Sequence, residues 1–185
     1  MAFFVIEHLE PELFKWCVLE YAHISFIVGK ENCIFTNTSS KELEPYGKVT
    51  EKRVTELNLA NACVLDPDAK ETLTPELAKQ FDYFIFGGIL GDDPPKKRTE
   101  PELTSKLNFP AFNLGNAQMS TDTAVIVTHE ILLGTPLGEL KFQEGIEVET
   151  GENESVHLPY KYLVKDGKPL LAPGIKEMLK EQDEF

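Results

Sequence analysis

Apolar residues are distributed along this chain in two alternating patterns. Phe3, Phe4, Val5 and Ile6 form a short unbroken run, the pattern of a buried strand, and Pro11 follows where proline's missing donor is harmless at a helix start. Leu13, Trp16, Cys17, Tyr21, Ile24, Ile27 and Val28 then recur at three and four residues. They predict a helix with one apolar face that stops at Gly29. Cys33 to Phe35 and Ala62 to Leu65 predict two further strands. Thr74 and Pro75 open a short helix, and Tyr83 to Phe86 make a strand apolar on both faces, as in a parallel sheet covered by helices. A helix is expected from Thr99 to Leu107, a short strand around Pro110 to Asn113, and a loop from Leu114 to Met119. Ser120, Thr121 and Asp122 supply N-cap chemistry for a helix through Ala124, Val127, Ile131 and Leu132 to Gly134. Near the end, Val156 to Val164 and Pro169 to Ala172 flank the turn signal Asp166-Gly167, and Pro173-Gly174 leads into a short charged helix. The pattern is α/β: a mostly parallel sheet with helices on both faces, residues 1–185 as one domain, and a small β-rich appendage within about residues 140–172.

Two strand-to-helix loops carry glycine. In FGGILGDDPPKKR, Phe86 to Arg98, the spacing after Gly87 and Gly88 does not fit G-x-G-x-x-G, and the loop ends in two acids rather than the Gly-Lys-Ser/Thr of a phosphate loop. Carboxylates beside backbone donors repel phosphate, so this cradle suits a neutral or cationic ligand. Glycine permits close approach to the backbone, and the carboxyl ends of parallel strands are where α/β sheets bind ligands. A simple turn into the next helix would use the same residues. The second loop, NLGNAQMSTDTA from Asn113 to Ala124, also precedes a capped helix, and the two could clasp one ligand.

Charge narrows the partners. There are 18 Lys+Arg against 31 Asp+Glu, a formal net charge of −13, which repels nucleic acid and favours a basic partner. Glu139, Glu144, Glu147, Glu149, Glu152 and Glu154 face only Lys141 in one acidic run, read as a solvated loop. The cysteines, Cys17, Cys33 and Cys63, are odd in number and lack a C-x-x-C, which predicts neither disulfides nor a metal site. MAFFVIEHLE has no basic region ahead of its apolar run, and no segment approaches the roughly 20 apolar residues of a membrane span. A cytoplasmic protein is expected.

FGGILGDDPP and NLG-x-x-QM-x-TDTAV, with FVIEHLEPELFKWCVLEY and ESVHLPYKYL, resemble the protein-arginine methyltransferase branch of the SPOUT superfamily over nearly the whole chain. Asn116 stands where that branch is expected to carry proline. The resemblance implies an S-adenosylmethionine-binding fold with a C-terminal trefoil knot and no metal. It also implies a monomer acting on one arginine of a small-subunit ribosomal protein, the KH-domain protein numbered three. By motif, Gly87, Gly88, Ile89 and Gly91 would form one wall of the cofactor site, and Leu114, Gly115, Met119, Thr121 and Ala124 the other. The cationic sulfonium fits acids rather than lysines beside the loop.

A guanidinium is a poor nucleophile while its lone pairs are delocalised, so carboxylates must orient it and one can take its proton. Candidates are Glu7, Asp92, Asp93, Asp122 and Glu154. Asp122 has a bland competitor, since an acid in a helix's first turn favours the dipole without any catalytic role. His23, beside an apolar face, reads as a structural histidine. Lys96, Lys97 and Arg98 form a basic triplet able to hold a carboxylate or phosphate. Two other functions stay open: an RNA methyltransferase, the commoner SPOUT activity, and a non-catalytic module that holds a ribosomal protein.

Overall fold

The computed structural model describes residues 2–91, 94, 96–151 and 154–182. The apolar runs become the parallel strands β1 (Phe3–His8), β2 (Cys33–Thr36), β4 (Ala62–Leu65), β6 (Tyr83–Gly88) and β7 (Ala111–Asn113), and two short polar edge strands the pattern did not foretell, β3 (Lys48–Val49) and β5 (Glu71–Thr72), join them. They form one sheet in the order β3-β2-β1-β6-β4-β7-β5, and every pairing is parallel. The inner strands must be covered on both faces, which is why they read as unbroken apolar runs.

The connections supply that cover. They carry the helices α1 (Lys15–Val28), α2 (Pro75–Ala78), α3 (Thr99–Glu102) and α4 (Thr121–Leu132). On one face Phe4, Ile6, Phe84 and Phe86 pack with Tyr21 and Ile24 of α1 and Ile126 and Ile131 of α4. On the other, Val5, Val64 and Ile85 pack with Val54 and Leu103, which come from short turns. Among the described residues, no helix is long and apolar enough to cross a membrane.

Two helix boundaries differ from the pattern. Pro11 does not open α1, which starts at Lys15 after an extended Phe14. The intervening residues serve other contacts: the Glu12 carbonyl accepts from His8 Nε2 at 3.2 Å, and Glu10 holds Leu90 N and Arg98. The helix expected from Thr99 to Leu107 breaks after Glu102 because Leu103 leaves helical geometry (φ −129, ψ −66) to bury its side chain, and a 3₁₀ turn follows at Thr104–Lys106. Gly29 ends α1 at φ 89 as expected.

The acidic run is not a loop. Phe142–Gly151 forms β8, paired antiparallel with β9 (Glu154–Lys165), while β10 (Lys168–Pro169) closes the turn at Asp166 and Gly167, both at positive φ. Ile146 and Val148 point inward onto Leu158 and Tyr162 of β9 and onto Met178 and Leu179 of α5 (Ile175–Gln182), whereas Glu144, Glu147 and Glu149 are exposed. From Ile146 to Glu149 this is the period-two alternation of a half-buried strand, and a register shift separates Glu144 from it.

Candidate active site

The carboxyl ends of β4, β6 and β7 open onto a cleft of ≈ 250 Å³. Of the motif residues, Gly87, Ile89 and Gly91 from the first loop and Met119, Thr121 and Ala124 from the second line it. Leu65, Phe86, Asn116 and Gln118 complete much of the wall. Gly88, Leu114 and Gly115 do not line it.

The glycines serve different physical needs. Gly91 has an ordinary φ, but a Cβ there would strike the ring of Tyr160 and sit 2.5 Å from Gln118 Nε2. Gly115 adopts φ +93, which favours glycine, and its N–H donates to Asn113 Oδ1 at 2.9 Å. The same oxygen accepts from Thr72 Oγ1, while Asn113 Nδ2 donates to the Ala69 carbonyl. Buried Asn113 thereby ties the second loop to the segment between β4 and β5.

The rim is strongly ion-paired. Arg98 donates to Glu10 at 2.7 Å and to Glu102 at 2.7 Å, and the same Glu10 oxygen accepts from Leu90 N at 2.9 Å. Lys97 reaches Asp68 at 2.7 Å; both residues line the cleft, and the contact raises the Lys97 pKa. Two members of the basic triplet are thus neutralised by acids.

The candidate carboxylates are scattered. Glu7 is buried at the end of β1, where Oε2 accepts from Thr36 Oγ1 at 2.5 Å and from Val54 N at 2.9 Å. It joins β1 and β2 to the turn at Val54 and does not line the cleft. Glu154 is exposed at the hairpin tip, six positions along β9 from Tyr160, or about 20 Å at strand rise. Asp92 and Asp93 lie outside the described residues.

Asp122, with an ordinary helix-start explanation available from sequence, has the most elaborate surroundings. It is buried beside Thr121, accepting from Ser120 Oγ at 2.6 Å, from Thr123 N at 2.8 Å and from His23 Nδ1 at 2.8 Å. His23 is therefore the satisfied histidine expected. His8 is equally committed, since Nε2 donates to the Glu12 carbonyl and leaves Nδ1 to accept from Tyr21 Oη at 3.0 Å; burial lowers its pKa.

Sequence reasoning missed Glu20. It falls in the helical stripe between Trp16 and Ile24, four residues from each, and an acid at such a position is a signal in itself. Its carboxylate accepts from Trp16 Nε1 at 2.7 Å, and the neighbouring Thr121 favours its charged form. Burial first, and then the charge of Asp122, raise its pKa well above the usual carboxylate range.

This geometry has close counterparts. A family model described as "Protein arginine N-methyltransferase SFM1-like" matches residues 3–184. Protein arginine N-methyltransferase SFM1 of Saccharomyces cerevisiae is 34% identical over 203 residues, spanning 96% of this chain and 94% of the relative. The crystal structure of yeast SFM1 complexed with SAM superposes with TM-score 0.89 at 34% identity, covering 98% of this chain and 91% of that one; the complex with SAH gives 0.88 at 33%, covering 96% and 94%. A dual specific Trm10 from Thermococcus kodakaraensis has TM-score 0.58 at 17% identity over 75% of this chain and 96% of its own, a likeness of fold alone. The chain belongs to the SFM1-like family of protein arginine N-methyltransferases.

Proposed function

We propose that this protein transfers a methyl group from S-adenosylmethionine to an arginine of a basic small-subunit ribosomal protein, the KH-domain protein numbered three. The observation that carries the reading is the cleft itself: two glycine-bearing loops at the carboxyl ends of parallel strands, with buried carboxylates behind one wall. S-adenosylmethionine, when bound, supplies an electrophilic methyl group. Gly87, Ile89, Gly91, Met119, Thr121 and Ala124 would hold it, with Gly88, Leu114 and Gly115 shaping the loops. Leu65 and Phe86 keep water from the apolar part of the cleft. Alignment of the acceptor nitrogen accounts for much of the acceleration in such a displacement, up to roughly 7–11 kcal/mol.

Among the described candidate acids, Asp122 is the one that backs onto the cleft, through Thr121. Glu7 acts by holding the ends of β1 and β2, and Glu154 by facing a basic partner. The −13 charge, the acidic outer face of β8 and the neutralised Lys97 and Arg98 favour a basic protein over RNA as acceptor. The likeness to Trm10 brings only a fold and does not reverse that. The fold is proposed to be knotted: β7 runs between β4 and β5, and the 66–70 connection between those strands is bonded to Asn113 just before the chain turns into α4. The whole is proposed to act as a cytoplasmic monomer of one domain, whose hairpin at about 140–172 faces the substrate.

Transfer of radiolabelled methyl to the purified ribosomal protein, with bulk RNA as parallel acceptor, tests the reading. Label on a protein arginine, lost in an Arg→Lys substrate, is expected; label on RNA alone overturns it.

A further inference from the structure

Behind Thr121, outside the cleft walls, two acids and an unsatisfied hydroxyl meet. Glu20 is 6% exposed and Asp122 2%. Salt-bridge contacts among the described residues give Asp122 only His23 and give Glu20 none. Two carboxylates in one dry site cannot comfortably both ionise, and burial, then the charge of Asp122, raises the Glu20 pKa well above the usual carboxylate range. A helix N-cap supplied by Glu20 alone would explain why Thr121 favours its charged form. It does not explain the second acid, nor Tyr162 of β9. That residue is 1% exposed, yet its hydroxyl has no hydrogen-bond partner among the described residues. The hydroxyl lies near both acids: after burial, the charges of Asp122 and Glu20 are what push its ionisation up.

The surroundings suit a flat cation. Trp16, half-buried, donates to Glu20 at 2.7 Å, and Tyr160, half-buried, meets Tyr162 edge-on with ring centroids 6.4 Å apart. Tyr160 also donates to the Gly91 carbonyl at 2.8 Å, so the same aromatic pair touches the cleft wall. A guanidinium offers five donors in a planar fork and stacks on aromatic faces, where an ammonium does neither as well.

We propose that Glu20, Asp122 and Tyr162 form the seat for the substrate guanidinium, the two carboxylates and the phenolic oxygen accepting its N–H groups between Trp16 and Tyr160. This rests on the arginine-methyltransferase reading above and adds the residues that select arginine. Among the described residues, the titratable groups that interact with the pair are Cys17, Tyr21 and His23 on α1 and Tyr162 on β9. A cation placed there reverses the repulsion between the acids. Glu20 then ionises, and its proton leaves to solvent.

Calorimetry on the full chain saturated with S-adenosylhomocysteine tests the seat. The probes are an acetylated lysine-lysine-arginine-lysine-lysine amide and its all-lysine counterpart, each in phosphate and in Tris, whose ionisation heats differ. The arginine peptide is expected to bind about tenfold more tightly, one bidentate charged pair's worth, with proton release at neutral pH. Glu20→Gln abolishes the release, and Tyr162→Phe, which keeps the packing, lowers the arginine preference several-fold. Equal binding of the two peptides, or arginine binding without proton release and unaltered by both variants, overturns the seat. Methyl transfer separates the two levels. If wild-type protein labels a protein arginine and both variants keep its KM and kcat, the seat alone falls; label confined to RNA removes the arginine reading and the seat with it.

Discussion

The hydroxyl of Tyr160, on the second strand of the C-terminal hairpin, donates to the carbonyl oxygen of Gly91, 69 residues earlier, at 2.8 Å. Lys161 N donates to the Gln118 carbonyl at 2.9 Å, so β9 grips both glycine loops at once. Gly91→Ala is expected to break this grip, because the added carbon would displace Tyr160 and Gln118. Affinity for S-adenosylhomocysteine should fall at least tenfold, measured by calorimetry, while Tyr160→Phe, which removes one hydrogen bond, should cost about 1 kcal/mol. Unchanged affinity in Gly91→Ala would show that the hairpin does not shape the site.

Gly88 makes the opposite kind of contribution. A Cβ there would overlap the Tyr21 hydroxyl and lie 3.0 Å from Ile6 Cγ2 and 3.2 Å from the Glu7 carbonyl, all inside the sheet–helix core. Gly88→Ala should destabilise the fold by about 1–3 kcal/mol, as overpacking does, read from denaturant midpoints. A midpoint equal to wild type would mean that α1 yields without cost.

Stability should also depend on pH through Glu20. Its folded pKa lies well above its ordinary 4.5, so the native state keeps a proton that the unfolded chain has lost. The contribution is complete below the unfolded value and disappears as pH rises through the folded one. The melting temperature of wild type relative to Glu20→Gln should therefore decline from about pH 4.5 upward. Parallel curves for the two proteins would contradict a protonated Glu20.

Burial pushes the thiols of Cys17, Cys33 and Cys63 up to about 12. Since the thiolate is the reactive form, native protein should leave a disulfide reagent unreacted at neutral pH and release three equivalents only after unfolding. Rapid reaction of any one thiol in native protein would place it outside the core.

Arg98→Ala should loosen the first loop, because Glu10 would keep Leu90 N but lose its cation. Partly exposed ion pairs contribute only about 0.2–1 kcal/mol, so the melting temperature should barely move. Affinity for S-adenosylhomocysteine should drop several-fold, and equal affinity would show that the bridge is incidental.

Local signals carried far in this chain. Unbroken apolar runs foretold β1, β2, β4, β6 and β7 because parallel strands are buried on both sides, and residue chemistry foretold the Thr74 start, the Gly29 stop and the Asp166-Gly167 turn. The motifs located both glycine loops. Residues 146–149 carried an equally legible signal in the alternation of Ile146, Glu147, Val148 and Glu149, which the acidic charge of the run obscured. What sequence left open is how distant segments meet. Gly88 and Gly91 look alike within one motif, yet Tyr21 approaches one and Tyr160 the other. Glu20 and Asp122 are also distant in sequence, and neither reveals the other. The chain itself determined most of the strands, helices and turns, since those depend chiefly on neighbouring residues. Only the tertiary structure decided which acids would share a dry site, because proximity and desolvation arise when α1, α4 and β9 close around the same few ångströms.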